Sequence, residues 1–154
     1  MEPNTLSDLA NKEPLAGFRI AERWGVVAEP GYQAVPDVLL LKQRELEITS
    51  EELNVLLNLT AHWWRPKDFV FPGVSTIANR MDVSKRTIQR IVGSLTKKGF
   101  VRKDRTVDGK IFFDLSPLEE KLRPFAEKTL AERRRLRLLA ELDTPRRDVI
   151  DGKV

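Results

Sequence analysis

The 154-residue chain contains no cysteine, a single histidine and a single tyrosine. Without cysteine there is neither a disulfide framework nor a thiolate metal site, and a reducing cytoplasm suits the chain. His62 has no second ligand and no catalytic partner at a recognisable spacing, so no metal site is expected, and no glycine-rich phosphate loop occurs. The paired acids Glu51/Glu52 and Glu119/Glu120 fall at helix starts, where the helix dipole accounts for them. An enzyme is therefore the poorest reading, with no catalytic residues and no cofactor expected. No apolar run approaches the roughly 18 residues of a membrane helix. The first residues lack a basic segment followed by an apolar one, so neither a secretory signal nor a membrane partner is expected, and the expected location is cytoplasmic.

What the chain does have is unevenly distributed charge. Its net charge is only +4, yet residues 1–60 hold five Lys/Arg against ten Asp/Glu, whereas residues 80–110 hold ten against three. A solvated charged face is the common explanation for such residues. It gives no reason for one sign to gather in one stretch, and the asymmetry favours a polyanionic partner.

The basic stretch coincides with the clearest pattern in the chain, residues 73–92. Ile77, Ala78 and Met81 form a short apolar stripe at helical spacing, Val83 plugs a turn, and Ile88, Ile91, Val92 and Leu95 form a second stripe. Ser84 precedes the second stripe as an N-cap. Lys85, Arg86, Thr87, Gln89 and Arg90 are left outside, donors suited to phosphate oxygens and base edges on an element that fits a DNA major groove. Two helices sharing one small core, the second of them a reader, is a helix-turn-helix.

The flanks fit that unit. Residues 1–17 are expected to be a flexible tail, with a short helix over 18–24. Val38, Leu39 and Leu41 offer a buried face after Pro36, placed at a first helical position. Thr49 and Glu52 have capping-box spacing ahead of Leu53, Val55, Leu56, Leu57, Leu59 and Trp63, which predicts a scaffold helix to about Trp64. At least one of Trp63 and Trp64 belongs to the core, and the aromatics of residues 69–73 cover it along an extended connection. Lys97, Lys98 and Gly99 stop the second helix of the pair. Two short alternating segments around an Asp108-Gly109 step then predict a β-hairpin, with Phe100, Ile111 and Phe113 inward and Arg102, Lys103, Arg105 and Lys110 near its tip. Ser116, Pro117 and Glu119 start another helix, whose apolar positions run from Leu118 to Leu139 and Ala140; Pro124 predicts either two helices or one with a kink. Leu130, Leu136, Leu139 and Leu142 are too few for sustained heptads, which leaves a helix folded back on the body or a short dimer helix. Arg133, Arg134, Arg135 and Arg137 could touch DNA backbone, but they are interleaved with Glu127, Glu132 and Glu141, the more common composition of a solvated face.

The fold class expected is mainly α with a small β-hairpin: a winged helix-turn-helix plus a C-terminal helix. The corresponding divisions are 18–116 for the winged helix with its N-terminal extension, 117–144 for the C-terminal helix or helices, and 145–154 for a disordered tail.

From Val74 the chain resembles the twenty-residue helix-turn-helix signature, with Ala78 at its fifth position and Ile77, Met81, Val83, Ile88 and Ile91 at its aliphatic positions. Its ninth position, usually glycine, is Asp82, one of the few residues that visit the left-handed region readily. The wider run over residues 18–126 is similar to bacterial winged helix-turn-helix proteins of plasmids, phages and other mobile elements, including the amino-terminal domains of some replication initiators. The resemblance is specific for the fold, and repressors, activators, excision factors and initiators all use this module; with the exposed donors, the leading expectation is sequence-specific binding to double-stranded DNA by a transcriptional regulator. Thr76, Lys85, Arg86, Thr87, Gln89, Arg90 and Lys97 would lie on the helix pair, and Arg102, Lys103, Arg105 and Lys110 on the wing. A plasmid or phage replication or partition initiator is the alternative, and a protein-interaction winged helix without DNA binding a further one. A homodimer is expected, because one reading helix contacts few base pairs.

Overall fold

The computed structural model describes residues 16–143, which part into two units between residues 34 and 35. The tail at 145–154, and most of the one at 1–17, lie outside the described residues. The first unit is one helix, α1 (Ala16–Trp24), followed by a 3-10 turn over Gly25–Ala28. The second unit contains five helices and a hairpin: α2 (Asp37–Leu41), α3 (Ser50–Thr60), α4 (Val74–Met81), α5 (Lys85–Lys97), β1 (Arg102–Arg105), β2 (Ile111–Asp114) and α6 (Ser116–Asp143). This is a winged helix-turn-helix with a long C-terminal helix.

In the second unit Pro36 stands one position earlier than expected, as the N-cap of α2. A helix this short turns little more than once, so Leu39 is buried, Val38 packs at the edge and Leu41 stays exposed, against expectation. The scaffold helix α3 opens with a complete capping box: the Glu52 amide donates to Thr49 Oγ1 at 3.2 Å, and the Thr49 amide donates to Glu52 Oε2 at 2.9 Å. Val55, Leu56 and Leu59 are fully buried. The helix ends at Thr60 rather than near Trp64, because His62 and Trp63 turn back onto the carbonyls of Leu59 and Thr60 in tight turns. Trp63 packs against the core, while Trp64 is exposed.

The connection after α3 places its residues differently from the expectation. Val70, not the aromatics, enters the core, and it pairs with Phe113 as a third, one-residue strand beside the hairpin. Extended backbone alternates sides, so Phe69 and Phe71 point away with Phe112, ring centroids 4.5 and 6.0 Å from it.

Both α3 and α4 pack on α5. The turn between α4 and α5 follows from Asp82, whose backbone is left-handed at φ 52° and ψ 47°; the Val83 amide then reaches back to the Ala78 carbonyl at 3.0 Å. This six-to-one bond is a Schellman ending, and it directs the chain into Ser84, whose hydroxyl accepts from the Thr87 amide at 3.1 Å. Val83 does not plug the turn: it is partly exposed beside the reversal. The same ending recurs after α5, where Gly99 at φ 78° lets the Phe100 amide reach the Leu95 carbonyl and turns Phe100 into the core.

The hairpin pairs Arg102 with Asp114, Lys103 with Phe113, Asp104 with Phe112 and Arg105 with Ile111, and Gly109 at φ 84° closes its turn. Asp114, rather than Ser116, supplies the acceptor where α6 begins, taking the Ser116 amide at 2.9 Å and its hydroxyl at 2.7 Å. α6 is one helix through Pro124. Its first half packs on α2 and buries Leu118 and Leu122. Beyond Ala126 it does not fold back on the body: Leu130, Leu136, Leu138, Leu139 and Leu142 are all exposed.

One buried charge ties α3 to α5. Glu52, with only 3% of its surface exposed, accepts from the Thr49 amide, from Ser94 Oγ at 2.6 Å and from Lys98 Nζ at 2.8 Å. Burial pushes its carboxyl up, but these three donors together hold it below the ordinary glutamate value. Glu52 is therefore expected to contribute stability at neutral pH that is lost as pH falls through the ordinary glutamate pKa of about 4.3 and below. Glu52→Ala should cost on the order of 2–3 kcal/mol, since it removes a cap, leaves Ser94 without its acceptor and leaves Lys98 with the Glu47 carbonyl but no counter-charge. Urea unfolding at pH 7 and pH 3.5 checks both: the mutant's deficit should shrink at the lower pH.

Candidate nucleic-acid interface

The side of α5 away from the core is set by arithmetic at 3.6 residues per turn. Ile88, Ile91, Val92 and Leu95 are buried, so Arg86, Arg90, Gly93 and Lys97, spaced by four, three and four, form the opposite stripe. Lys85 and Gln89 flank it. Arg86, Gln89, Lys85 and Lys97 are exposed. The structure thus brings these four onto one helix with their polar groups outward.

Two other residues expected on this helix are already engaged. The Thr87 hydroxyl lies 2.9 Å from that of Ser84 and is held at the cap. Arg90 reaches sideways to Glu51 at the start of α3, Nη2 to Oε2 at 3.2 Å. Both partners of that pair are more than 60% exposed, so it is worth no more than about 1 kcal/mol and yields readily to a stronger anion. Glu51 stands 39 positions away from Arg90, and no local sequence signal connects them.

Thr76 is exposed on the first turn of α4. That helix has Gly73 as its N-cap and no side-chain cap; the Thr76 and Ile77 amides donate to the Gly73 carbonyl, which leaves the amides of Val74 and Ser75 as the uncapped ones. Arg80, near its end, is fixed against the end of α3 by Asn58 Oδ1 at 3.3 Å and His62 Nε2 at 3.4 Å. His62 is accordingly a helix-end residue that helps to hold the helix pair.

The wing's cations do not form one surface. In an antiparallel pair, residues directly opposite share a face, so Lys103 and Arg105 lie with Phe113 and Ile111, whereas Arg102 lies with Asp114 and Asp104 with Phe112. Arg102 is paired with Asp114 at 3.4 Å. Lys110 stands over the Phe71 ring at 4.6 Å from its centroid, a cation–π contact. Lys103 and Arg105 are exposed and carry no ion pair among the described residues.

Gly93 is a feature the sequence reading passed over. It sits in the interior of α5 on the outward stripe, one turn from Arg86's neighbour Gln89, and nothing lies within 4 Å of the position a Cβ would take. The signal was available, since a glycine inside a helical pattern costs stability and calls for a reason. Nothing among the described residues supplies one.

Among the described residues there is no group of three or more His, Asp or Glu placed to hold a metal ion, and no helix is long and apolar enough to cross a membrane.

A family model described as the DnaD N-terminal domain matches residues 35–133. Among the solved structures similar to the chain are two bacterial proteins. One is the adhesin competence repressor AdcR from Streptococcus pyogenes, 17% identical over 65% of this chain and 73% of that one, with a TM-score of 0.36. The other is the YusO protein from Bacillus subtilis, 15% identical over 90% of this chain and 97% of that one, with a TM-score of 0.39. No curated protein matches the chain.

Because Gly93 meets nothing within the fold, Gly93→Ala should raise stability by about 0.5–1 kcal/mol through helix propensity alone. A lower urea midpoint in the variant would show that the position is packed after all.

Proposed function

The chain belongs to the DnaD N-terminal domain family, and from that premise we propose that it is a sequence-specific double-stranded DNA-binding protein acting as a transcriptional regulator. The observation that carries the reading is the outward stripe of α5, where donors stand opposite the core on a helix narrow enough to enter a major groove. Arg86 and Lys85 reach guanine acceptors or phosphates, and Gln89 an adenine edge. Arg90 leaves Glu51 for a base or a flanking phosphate. Gly93 lets the helix backbone come close to the DNA where a side chain would hold it away. Thr76 and the uncapped amides of α4 take one phosphate, and Lys97 another. On the wing, Lys103 and Arg105 engage phosphates or the neighbouring minor groove; Arg102 and Lys110 join them after giving up Asp114 and Phe71. The protein acts as a homodimer on two half-sites.

A replication or partition initiator is the second reading. It is favoured by the uncovered half of α6, since an initiator must hold another protein as well as DNA.

Arg86→Ala and Gln89→Ala should each cost about 1–3 kcal/mol on the cognate site and relax preference at one base pair. Lys103→Ala should weaken all duplexes alike and flatten the dependence of affinity on salt. Sites selected from a random duplex pool supply the cognate sequence for the gel shifts. Equal losses on cognate and scrambled duplex for the α5 variants would remove base reading by this helix, and no shift of any duplex at low salt would leave a protein-interaction module.

A further inference from the structure

Between the segment after α3 and the start of α6 lies a cleft that duplex binding does not use. It measures about 630 Å³, within the roughly 300–1,000 Å³ usual for small-molecule sites. Trp63, Trp64 and Arg65 wall one side, and Glu119, Glu120 and Arg123 of α6 the other. The α6 wall follows from periodicity: Leu118 and Leu122 are buried in the core, which leaves Glu119, Glu120 and Arg123 exposed on the rest of the helix surface. The tryptophan wall follows from the end of α3. The tight turn that packs Trp63 against the core leaves its neighbour Trp64 82% exposed. None of these residues belongs to the α5 face or to the wing.

Charges of both signs line the cleft, and one pair of them is already spent. Arg123 forks onto Glu119, Nε to Oε1 at 3.0 Å and Nη2 to Oε2 at 2.6 Å. Glu120 acts on the Arg123 charge only from farther away. Among the described residues, neither Glu120 nor Arg65 has a side-chain hydrogen bond or an ion pair. An exposed tryptophan alone is ordinary. Here it shares a cleft with one uncommitted carboxylate and one uncommitted guanidinium.

Those three groups narrow the chemistry of a ligand. An ionised carboxylate only accepts hydrogen bonds, and a guanidinium only donates them. A polyamine would satisfy Glu120 but meet Arg65 and Arg123; a bare inorganic anion would meet Glu119 and Glu120. A ligand that suits both carries neutral N–H donors at one end, an anion at the other, and a flat body to lie on Trp64. A nucleotide has that layout, with a base that stacks, an edge that is read and a phosphate that is held. The carboxylate then selects the base. Guanine alone among the common bases presents two adjacent donors on its pairing edge, N1–H and the N2 amino group, to match the two carboxylate oxygens. Adenine and cytosine place a ring-nitrogen acceptor beside their amino donor, and thymine and uracil flank one donor with carbonyls. Each of these sets a lone pair against the carboxylate.

We propose that this cleft binds a guanine nucleotide, with the base on Trp64, its N1–H and N2–H groups donating to the Glu120 carboxylate, and its phosphate accepting from Arg65. Arg123 stays with Glu119 and completes the α6 wall. A guanine inside a duplex is ruled out, because cytosine occupies the edge that Glu120 reads. The same base and phosphate come from a free mononucleotide or from an unpaired guanine in a strand, so the inference goes beyond duplex binding and does not rest on it.

Equilibrium dialysis of the full chain tests it against guanosine, inosine and adenosine monophosphates, guanosine, phenylalanine, and a short thymidine strand with and without one guanine. Guanosine monophosphate should bind about tenfold or more tightly than adenosine monophosphate. Inosine monophosphate, which lacks the N2 amino group, should fall between them. Glu120→Gln should erase that preference, since an amide offers one donor and one acceptor and matches adenine instead. Arg65→Ala should bring guanosine monophosphate down to the affinity of guanosine. Trp64→Ala should weaken every nucleotide about tenfold. All three side chains are exposed, so thermal midpoints should stay at the wild-type value. Binding of guanosine monophosphate supports the site with a free nucleotide, and binding of the guanine-bearing strand alone supports it with an unpaired strand. Equal binding of adenosine monophosphate, a preference that survives Glu120→Gln, phenylalanine bound as tightly as the nucleotide, or no guanine ligand bound at millimolar concentration would each overturn it.

Discussion

The carboxylate of Glu52 is the point through which the start of α3 is held to the last turns of α5. It completes the capping box with Thr49, takes the Ser94 hydroxyl, and pairs with Lys98, whose ammonium also donates to the Glu47 carbonyl at 2.6 Å. A charge buried this deeply is tolerable only with all these donors in place, so the arrangement admits little sliding of one helix on the other. That restriction suits the reading role proposed for α5, because outward donors are useful only if the scaffold behind them is fixed. The neighbouring Arg90–Glu51 pair is the opposite kind of contact, exposed and exchangeable.

The angle between the helices of the pair is set by backbone endings rather than by side-chain packing alone. Asp82 and Gly99 each place one residue in the left-handed region, and each is followed by an amide that reaches back five residues. Asp82 does this at some cost relative to glycine. The second ending delivers Phe100 to the core and starts the wing, so the position of the hairpin descends from the same device. Family membership and this architecture agree with the resemblance carried by residues 74–91.

Much of this was legible along the chain. The capping box at Thr49, the cap at Ser84, the left-handed Asp82, the stop at Gly99 and the Asp108-Gly109 turn are local motifs, each decided by bonds within a few residues. What was misplaced depended on neighbours far away. Val70 rather than Phe69 or Phe71 enters the core because Phe113 of the hairpin pairs with it. Leu41 and the leucines of α6 beyond Ala126 have helical spacing yet stay exposed, because periodicity says which residues share a side and not whether anything lies against it.

The candidate interface divides in the same way. The sequence alone determined the α5 face, since burying Ile88, Ile91, Val92 and Leu95 obliges Arg86, Gln89, Gly93 and Lys97 to point elsewhere. Only the tertiary structure decided that Arg90 is held by Glu51, that the hairpin register separates Arg102 from Lys103 and Arg105, and that Trp64 faces Glu119 and Glu120 across an open cleft. The physical reason is range. Hydrogen bonds to the backbone and helical periodicity act within a turn or two, and so are written in adjacent letters. Ion pairs, strand register and clefts join residues tens of positions apart, and they exist only once the core has brought those residues together.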